Sequence, residues 1–158
     1  MSESTKAQID QLAAFPAQLR QQLEGLGDAE LRYRPDGAEW SILEIVGHMI
    51  DVGALWPGRT RQMLASENPA LAAVDPAWVA QRDYQNKQLQ FLLISLAEQR
   101  AEYVEFLRVL RPFQLERSGL HPTRGQLTVA QGIAALADHD SIHSEQIAGN
   151  LAHMREHA

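Results

Sequence analysis

Residues 128–154, TVAQGIAALADHDSIHSEQIAGNLAHM, contain the pattern that decides the fold. Thr128 and Gln131 have the spacing of a capping box, in which each side chain accepts a hydrogen bond from an unpaired backbone N–H at the start of a helix. Apolar residues then recur at three- and four-residue steps, the period of a helix with one buried face. They are Val129, Ile133, Leu136, Ile147, Leu151 and Met154. The segment therefore predicts a long amphipathic helix.

Polar side chains interrupt the apolar face of this helix for about two turns. In steps of four and three from Leu136, the face passes Asp140 and His143 before it resumes at Ile147, and His139 lies at its flank. His139 and His143 are four residues apart, so their side chains lie one turn apart on the same side. Buried polar groups destabilise a core unless they are satisfied. Either a hydrogen-bond network or a metal ion could satisfy these.

Three further segments have the helical period. The first spans residues 5–26 and is followed by an irregular connector with a single turn after Asp28. The second begins with a capping box formed by Ser41 and Glu44. It is expected to end near residues 66–69, because the residue before a proline disfavours helix.

The third segment begins at Asp75, followed by a proline, and is expected to stop before Pro112. Such a helix would be about 50 Å long, so a bend or a break within it is expected. Residues 113–127 are interpreted as a loop. No segment alternates apolar and polar residues as a half-buried strand does. The sequence thus predicts one all-α domain over residues 1–158, folded as a four-helix bundle.

Composition narrows the range of functions. The 158 residues are 45% hydrophobic and 22% charged, which is ordinary for a globular domain. The net charge of -6, without any basic run, argues against a nucleic-acid partner. The absence of cysteine excludes disulfides, a cysteine nucleophile and thiolate metal ligands. We see no signal peptide and no apolar run of about 20 residues, so the expectation is no membrane partner and a cytoplasmic location.

His48 repeats the polar interruption on the second helix, where it lies between Ile45 and Val52. Three imidazoles from two helices would leave coordination positions open, as catalytic metal sites do. His153 and His157 share the four-residue spacing, but they fall in the last turn, where cationic side chains favour the helix dipole. We interpret that pair as exposed and structural. His121 precedes a proline in the loop and could lie at the rim of the site.

Two stretches of the chain resemble the signatures of the DinB-like superfamily. The first is WSILEIVGHMID, residues 40–51. The second combines GQLTV, residues 125–129, with ADHDSIHSEQI, residues 137–147. They come in the expected order and at about the expected separation, and the rest of the chain fits loosely. The joint pattern is much more specific than a single histidine pair.

The resemblance implies a four-helix bundle with a long crossover connection and a metal centre held by His48, His139 and His143. Nickel and zinc are both familiar in the family, and imidazole ligands also suit iron or, less well, manganese. Characterised relatives activate a low-molecular-weight thiol for transfer to an electrophile, or catalyse a thiol-dependent isomerisation. Homodimers are common in the family, so a homodimer acting on a small molecule is expected.

Four other residues are considered for roles near the metal. Asp51, three positions after His48, and Asp140, beside His139, could each orient an imidazole or a bound water. Asp51 could equally be a solvated helix residue, and Asp140 could pair with a buried arginine. Glu44 is already explained by the capping box. Arg59 could bind an anionic substrate group, although an interhelical salt bridge is the simpler interpretation.

Three hypotheses follow. The first is a metal-dependent enzyme, a thiol S-transferase or a related hydrolase or isomerase, in which the metal activates a thiol or water nucleophile. The second is a non-catalytic dimeric bundle, linked to stress, that binds a metal or a small molecule. The third is a buried hydrogen-bonded cluster of the three histidines without a metal.

Overall fold

The computed structural model describes all 158 residues. The helices in chain order are α1 (Glu3–Leu23), α2 (Asp28–Arg32), α3 (Ile42–Ala65), α4 (Trp78–Gln81), a 3₁₀ turn (Tyr84–Asn86), α5 (Leu89–Arg108), α6 (Pro112–Leu115) and α7 (Val129–Glu156). Two short strands, β1 (Ser118–His121) and β2 (Gly125–Thr128), precede α7. The helices α1 and α3 each pack against both α5 and α7. The predicted four-helix bundle is therefore confirmed. None of its helices combines the length and the apolar character that crossing a membrane requires.

The helices α3 and α7 begin where their capping boxes predict. The Ser41 hydroxyl accepts a hydrogen bond from the Glu44 backbone N–H at 3.2 Å, and the Glu44 carboxylate accepts one from the Ser41 N–H at 3.1 Å. Thr128 and Gln131 exchange the same two bonds at 3.1 and 2.9 Å. These local signals fix the register of the two helices that carry the three candidate histidines.

The segment predicted as the third helix, from Asp75 to the residue before Pro112, has a break of the kind that its length led us to expect. The chain forms α4, a 3₁₀ turn and then α5. The break lies at Asp83, whose φ of 52° is in the left-handed region and cannot continue a right-handed helix. The break lets Tyr84 pack against α3 at Gly47 and donate a 2.7 Å hydrogen bond to Asp51.

A β-hairpin replaces much of the loop expected over residues 113–127. Strands β1 and β2 pair antiparallel, and Gly125 makes the turn with a φ of 74°, a conformation that glycine adopts without steric cost. Leu120 exchanges backbone hydrogen bonds with Pro69 and Leu71 in the connector after α3. The hairpin and that connector are thus joined beside the bundle.

An internal ion pair connects three of the four long helices. Arg100 on α5 donates two hydrogen bonds to Asp140 on α7, at 2.6 and 2.9 Å, and both residues are buried. The same guanidinium donates a 3.2 Å bond to the carbonyl of Leu12 on α1. Pro16, four residues later, has no N–H with which to bond that carbonyl. Arg100 therefore satisfies both a buried carboxylate and the backbone acceptor left free by the proline.

We expect Gly47→Ala to destabilise the protein by about 1–3 kcal/mol, the usual cost of overpacking a core. A Cβ at Gly47 would lie 2.1 Å from Cγ of Tyr84, whose hydroxyl is held by Asp51. The matched control is Gly149→Ala on α7, where no atom lies within 4 Å of the added Cβ. Removing that helical glycine should stabilise the protein by about 0.5–1 kcal/mol. Urea unfolding of both variants measures the difference, and similar free energies of unfolding would contradict the packing at Gly47.

Candidate metal centre

The packing of α3 against α7 brings the three predicted histidines together. His48 faces His139 and His143, and the Nε2 atoms of His48 and His139 are 3.1 Å apart. One ring nitrogen from each residue can be chosen so that all three atoms lie within 4.8 Å of one another. The three rings are half-buried.

Burial keeps these imidazoles neutral. It lowers the pKa of His48 to about 4 and that of His139 to about 2, and neighbouring imidazoles contribute to both shifts. It also lowers the pKa of His143, while Gln146 and Asp140 act in the opposite direction. A neutral imidazole has a lone pair for a metal ion, and an imidazolium has none. The site thus offers three uncharged nitrogen donors at neutral pH.

Gln146 sets the tautomer of His143. Its amide oxygen lies 2.7 Å from Nδ1 of His143, and this oxygen can only accept, so the ring proton is assigned to Nδ1. The lone pair of His143 is then on Nε2. Partners of this kind fix the orientation of metal-bound histidines. The sequence prediction missed Gln146, although its position three residues after His143 on one helix was an available signal.

The spacing of the ring nitrogens fits a metal ion, and hydrogen bonds within the cluster do not satisfy all of these nitrogens. The Nδ1 atoms of His48 and His139 are buried without a hydrogen-bond partner, so the cluster leaves polar atoms unsatisfied. Nitrogen ligands with bonds of about 2.1 Å are about 3.0 Å apart in an octahedral site and about 3.4 Å apart in a tetrahedral one. The observed 3.1 Å between the two Nε2 atoms falls in this range.

The two aspartates proposed to orient the imidazoles have other partners. Asp51 is hydrogen-bonded by Tyr84 at 2.7 Å and forms an ion pair with Arg82. Asp140 is held by Arg100. No hydrogen bond joins either carboxylate to the three histidines, because each bonds to a cation from another element. Gln146 is the residue that hydrogen-bonds an imidazole of the site, that of His143.

A cavity of about 300 Å³ opens beside the three imidazoles. Its remaining lining comes from α3, α7, the connector after α3 and the hairpin: Val52, Trp56, Arg59, Ala73, Val74, His121, Pro122, Thr123, Arg124 and Ala135. The Trp56 ring can enter this wall because α7 has a glycine at position 132, where a Cβ would lie 2.7 Å from the indole. A larger groove of about 810 Å³ lies between α1 and α5, away from the histidines.

His121 reaches the cavity from β1. Its Nδ1 accepts hydrogen bonds from the backbone N–H groups of Thr123 and Arg124, at 3.1 and 3.2 Å. The proton of the neutral ring is therefore on Nε2. The imidazole stacks on Trp56, with ring centroids 6.1 Å apart. The structure thus places His121 at the rim, and neither His153 nor His157 lines the cavity.

Three comparisons relate the chain to known proteins. The family model described as the DinB superfamily matches residues 11–147. "Putative metal-dependent hydrolase YfiT" of Bacillus subtilis is 28% identical over 143 residues, which cover 88% of this chain and 79% of that protein. A relative from Oceanobacillus iheyensis, also named as a putative metal-dependent hydrolase, is 25% identical, with coverage of 88% and 81%.

A solved structure agrees with the sequence relatives. It is described as YfiT from Bacillus subtilis, a probable metal-dependent hydrolase with an unusual four-helix bundle topology. The superposition has a TM-score of 0.89 and 25% sequence identity, and it covers 98% of this chain and 90% of that one. The similarity therefore includes nearly the whole bundle and both helices that carry the histidines.

Proposed function

The chain belongs to the DinB superfamily, and we propose that it is a metal-dependent enzyme in which His48, His139 and His143 hold one divalent ion. The observation that carries this proposal is the meeting of three neutral imidazoles from two helices beside an open cavity. The names of the relatives as metal-dependent hydrolases support it. Zinc and nickel are the first candidates, followed by iron and manganese.

When bound, the ion supplies a Lewis acid that lowers the pKa of a thiol or water and so provides a nucleophile at neutral pH. The chain's own residues have separate roles. Gln146 fixes the proton of His143 on Nδ1 and so leaves the lone pair on Nε2, and Trp56 and Val52 form an apolar part of the cavity wall. The Nε2–H of His121 is a hydrogen-bond donor at the rim, where an electrophile would enter.

The reaction we propose first is transfer of a low-molecular-weight thiol to an electrophile. No aspartate or glutamate lines the cavity, so a water nucleophile would have no carboxylate base beside it. A thiol depends less on a general base, because its usual pKa of about 8.5 already lies near neutral pH. The chain has no cysteine, so the thiol would enter as a cosubstrate. Hydrolysis is the second candidate, and the names of the relatives favour it.

The test is a comparison of two reactions with one metal-loaded protein. Conjugation of thiols such as glutathione or cysteine to monobromobimane measures transfer, and hydrolysis of p-nitrophenyl acetate measures the second candidate. We expect thiol conjugation above the uncatalysed rate, lost with His48→Ala and retained with His157→Ala. Ester hydrolysis alone would replace the first candidate with the second. Metal binding without either activity, in a coordination shell with no exchangeable water, would favour a non-catalytic bundle. Light scattering tests the proposed homodimer.

A further inference from the structure

A buried arginine without an acidic partner lies in the wall of the cavity. Arg59 on α3 is only 3% exposed. Its Nε and Nη2 donate to the carbonyl of Ala72, at 3.0 and 2.5 Å, and its Nη1 makes no hydrogen bond. The salt bridges of the protein do not include Arg59, so the interhelical salt bridge considered from the sequence is absent. A buried cation is normally paired with an anion.

The surroundings of Arg59 are cationic or neutral on every side that faces the cavity. Arg124 and His121 line the same cavity from the hairpin, and the proton of the His121 ring is on Nε2 because Nδ1 accepts hydrogen bonds from the backbone. Burial and the two nearby arginines lower the pKa of His121, so this ring is a neutral donor. The cavity has no acidic residue, although the whole protein has a net charge of -6.

We propose that Arg59, together with Arg124 and His121, forms a subsite for the carboxylate of a small organic acid. The partner-free Nη1 of Arg59, beside the remaining N–H of Nη2, offers the two parallel donors that a carboxylate accepts. The role of this acid as a substrate rests on the proposed function. The anion subsite itself does not need the metal.

The shape of the cavity favours a small planar anion. The Cζ atom of Arg59 lies over the Trp56 ring, 4.7 Å from its centroid, and His121 stacks on the same indole. The other walls are short apolar side chains, including Val52, Val74 and Ala135. A volume of about 300 Å³ is at the lower end for ligand pockets, which favours a small acid.

The test measures binding of benzoate to the full-length, metal-free protein by isothermal titration calorimetry. Benzamide, which has the same shape without the charge, is the ligand control. We expect benzoate to bind more tightly than benzamide by about tenfold or more, and Arg59→Met to remove that preference. Arg124→Ala should weaken benzoate binding by about threefold, because its side chain is exposed and screened.

Arg61→Met is the matched protein control. Arg61 is on the same helix, but it is exposed and lies over Phe106 on a different side. The Arg61→Met variant should bind benzoate with the affinity of the wild type. If Arg59→Met fails to melt cooperatively because the Ala72 carbonyl has lost its donor, Arg124→Ala and the benzamide comparison decide the result.

Any of three results would overturn the proposal. The first is equal binding of benzoate and benzamide, and the second is wild-type benzoate affinity in both arginine variants. The third is binding of inorganic phosphate without binding of benzoate. A failure of the metal site is recognised separately, because benzoate binding is measured on the metal-free protein, and the Arg61→Met and Arg124→Ala variants should keep any metal that the wild type binds.

Discussion

A variant with His48, His139 and His143 all replaced by alanine is expected to contain almost no metal, whereas the wild type should contain about one divalent ion per chain. The physical reason is that the three imidazoles are the only cluster of potential metal ligands in the structure. The protein has no cysteine to replace them. Plasma mass spectrometry of untagged protein, after incubation with zinc, nickel or iron and desalting, measures the metal content.

The best control for this variant is His153→Ala with His157→Ala. These residues have the same four-residue spacing on the same helix, and their rings lie 4.0 Å apart. Their environment is different, since His153 bonds to Tyr33 and His157 is exposed at the helix end. The control should keep the full metal content. A wild-type protein that remains metal-free after loading would contradict the site and leave the three histidines as a structural cluster.

Arg100→Met is expected to destabilise the fold by about 3–5 kcal/mol, the usual cost of leaving one charge of a buried pair without its partner. The substitution leaves Asp140 uncompensated in the core and removes the donor to the carbonyl of Leu12. Urea unfolding followed by circular dichroism gives the free energy. Arg108→Met is the matched control on the same helix, because its 2.9 Å pair with Asp10 is exposed. That change should cost about 0–1 kcal/mol.

The double variant Arg100→Met with Asp140→Leu separates the charge effect from the packing effect. Replacing a complete buried ion pair by apolar residues is often neutral or stabilising. We therefore expect the double variant to recover most of the stability lost by Arg100→Met alone. The part not recovered should be the loss of the hydrogen bond to the carbonyl of Leu12. If Arg100→Met costs no more than Arg108→Met, the ion pair does not hold the three helices together.

The parts of the fold that the sequence predicted are those fixed by local signals. Both capping boxes lie within four residues of sequence, so Ser41 and Thr128 identify the starts of α3 and α7 directly. The positions of His48, His139 and His143 follow from helical periodicity, and the family resemblance predicts that they meet. The structure brings them together, and their binding of a metal remains a prediction.

The features that the sequence did not predict depend on contacts between distant segments. The break before α5 is stabilised by Tyr84, which packs on Gly47 and bonds to Asp51, more than 30 residues earlier in the chain. The hairpin strands are only four residues long, too short for an alternating pattern to be recognised. The length of the predicted helix indicated a break, but no local signal indicated the position of the break or the presence of the hairpin.

For the same reason, the sequence predicted where some side chains around the candidate site lie but not which residues they pair with. The sequence places Asp51 and Asp140 near the histidines, but it does not show that Arg82 and Arg100 pair with them. It also does not show that Arg59 lacks a partner, because an unpaired charge is visible only when every neighbour is known. Local spacing alone could have suggested Gln146.

The site's division between helices and loops has a consequence for how its specificity can evolve. The three histidines are on α3 and α7, whereas Val74, Arg124 and much of the rim belong to a connector and a hairpin turn. Loops accept substitutions and insertions far more readily than the helices that they join. If the chain is the proposed enzyme, changes in the rim would therefore alter its substrate while the three histidines of the metal site stay unchanged. A library randomised at residues 73–74 and 122–124 would sample new specificities without rebuilding the centre.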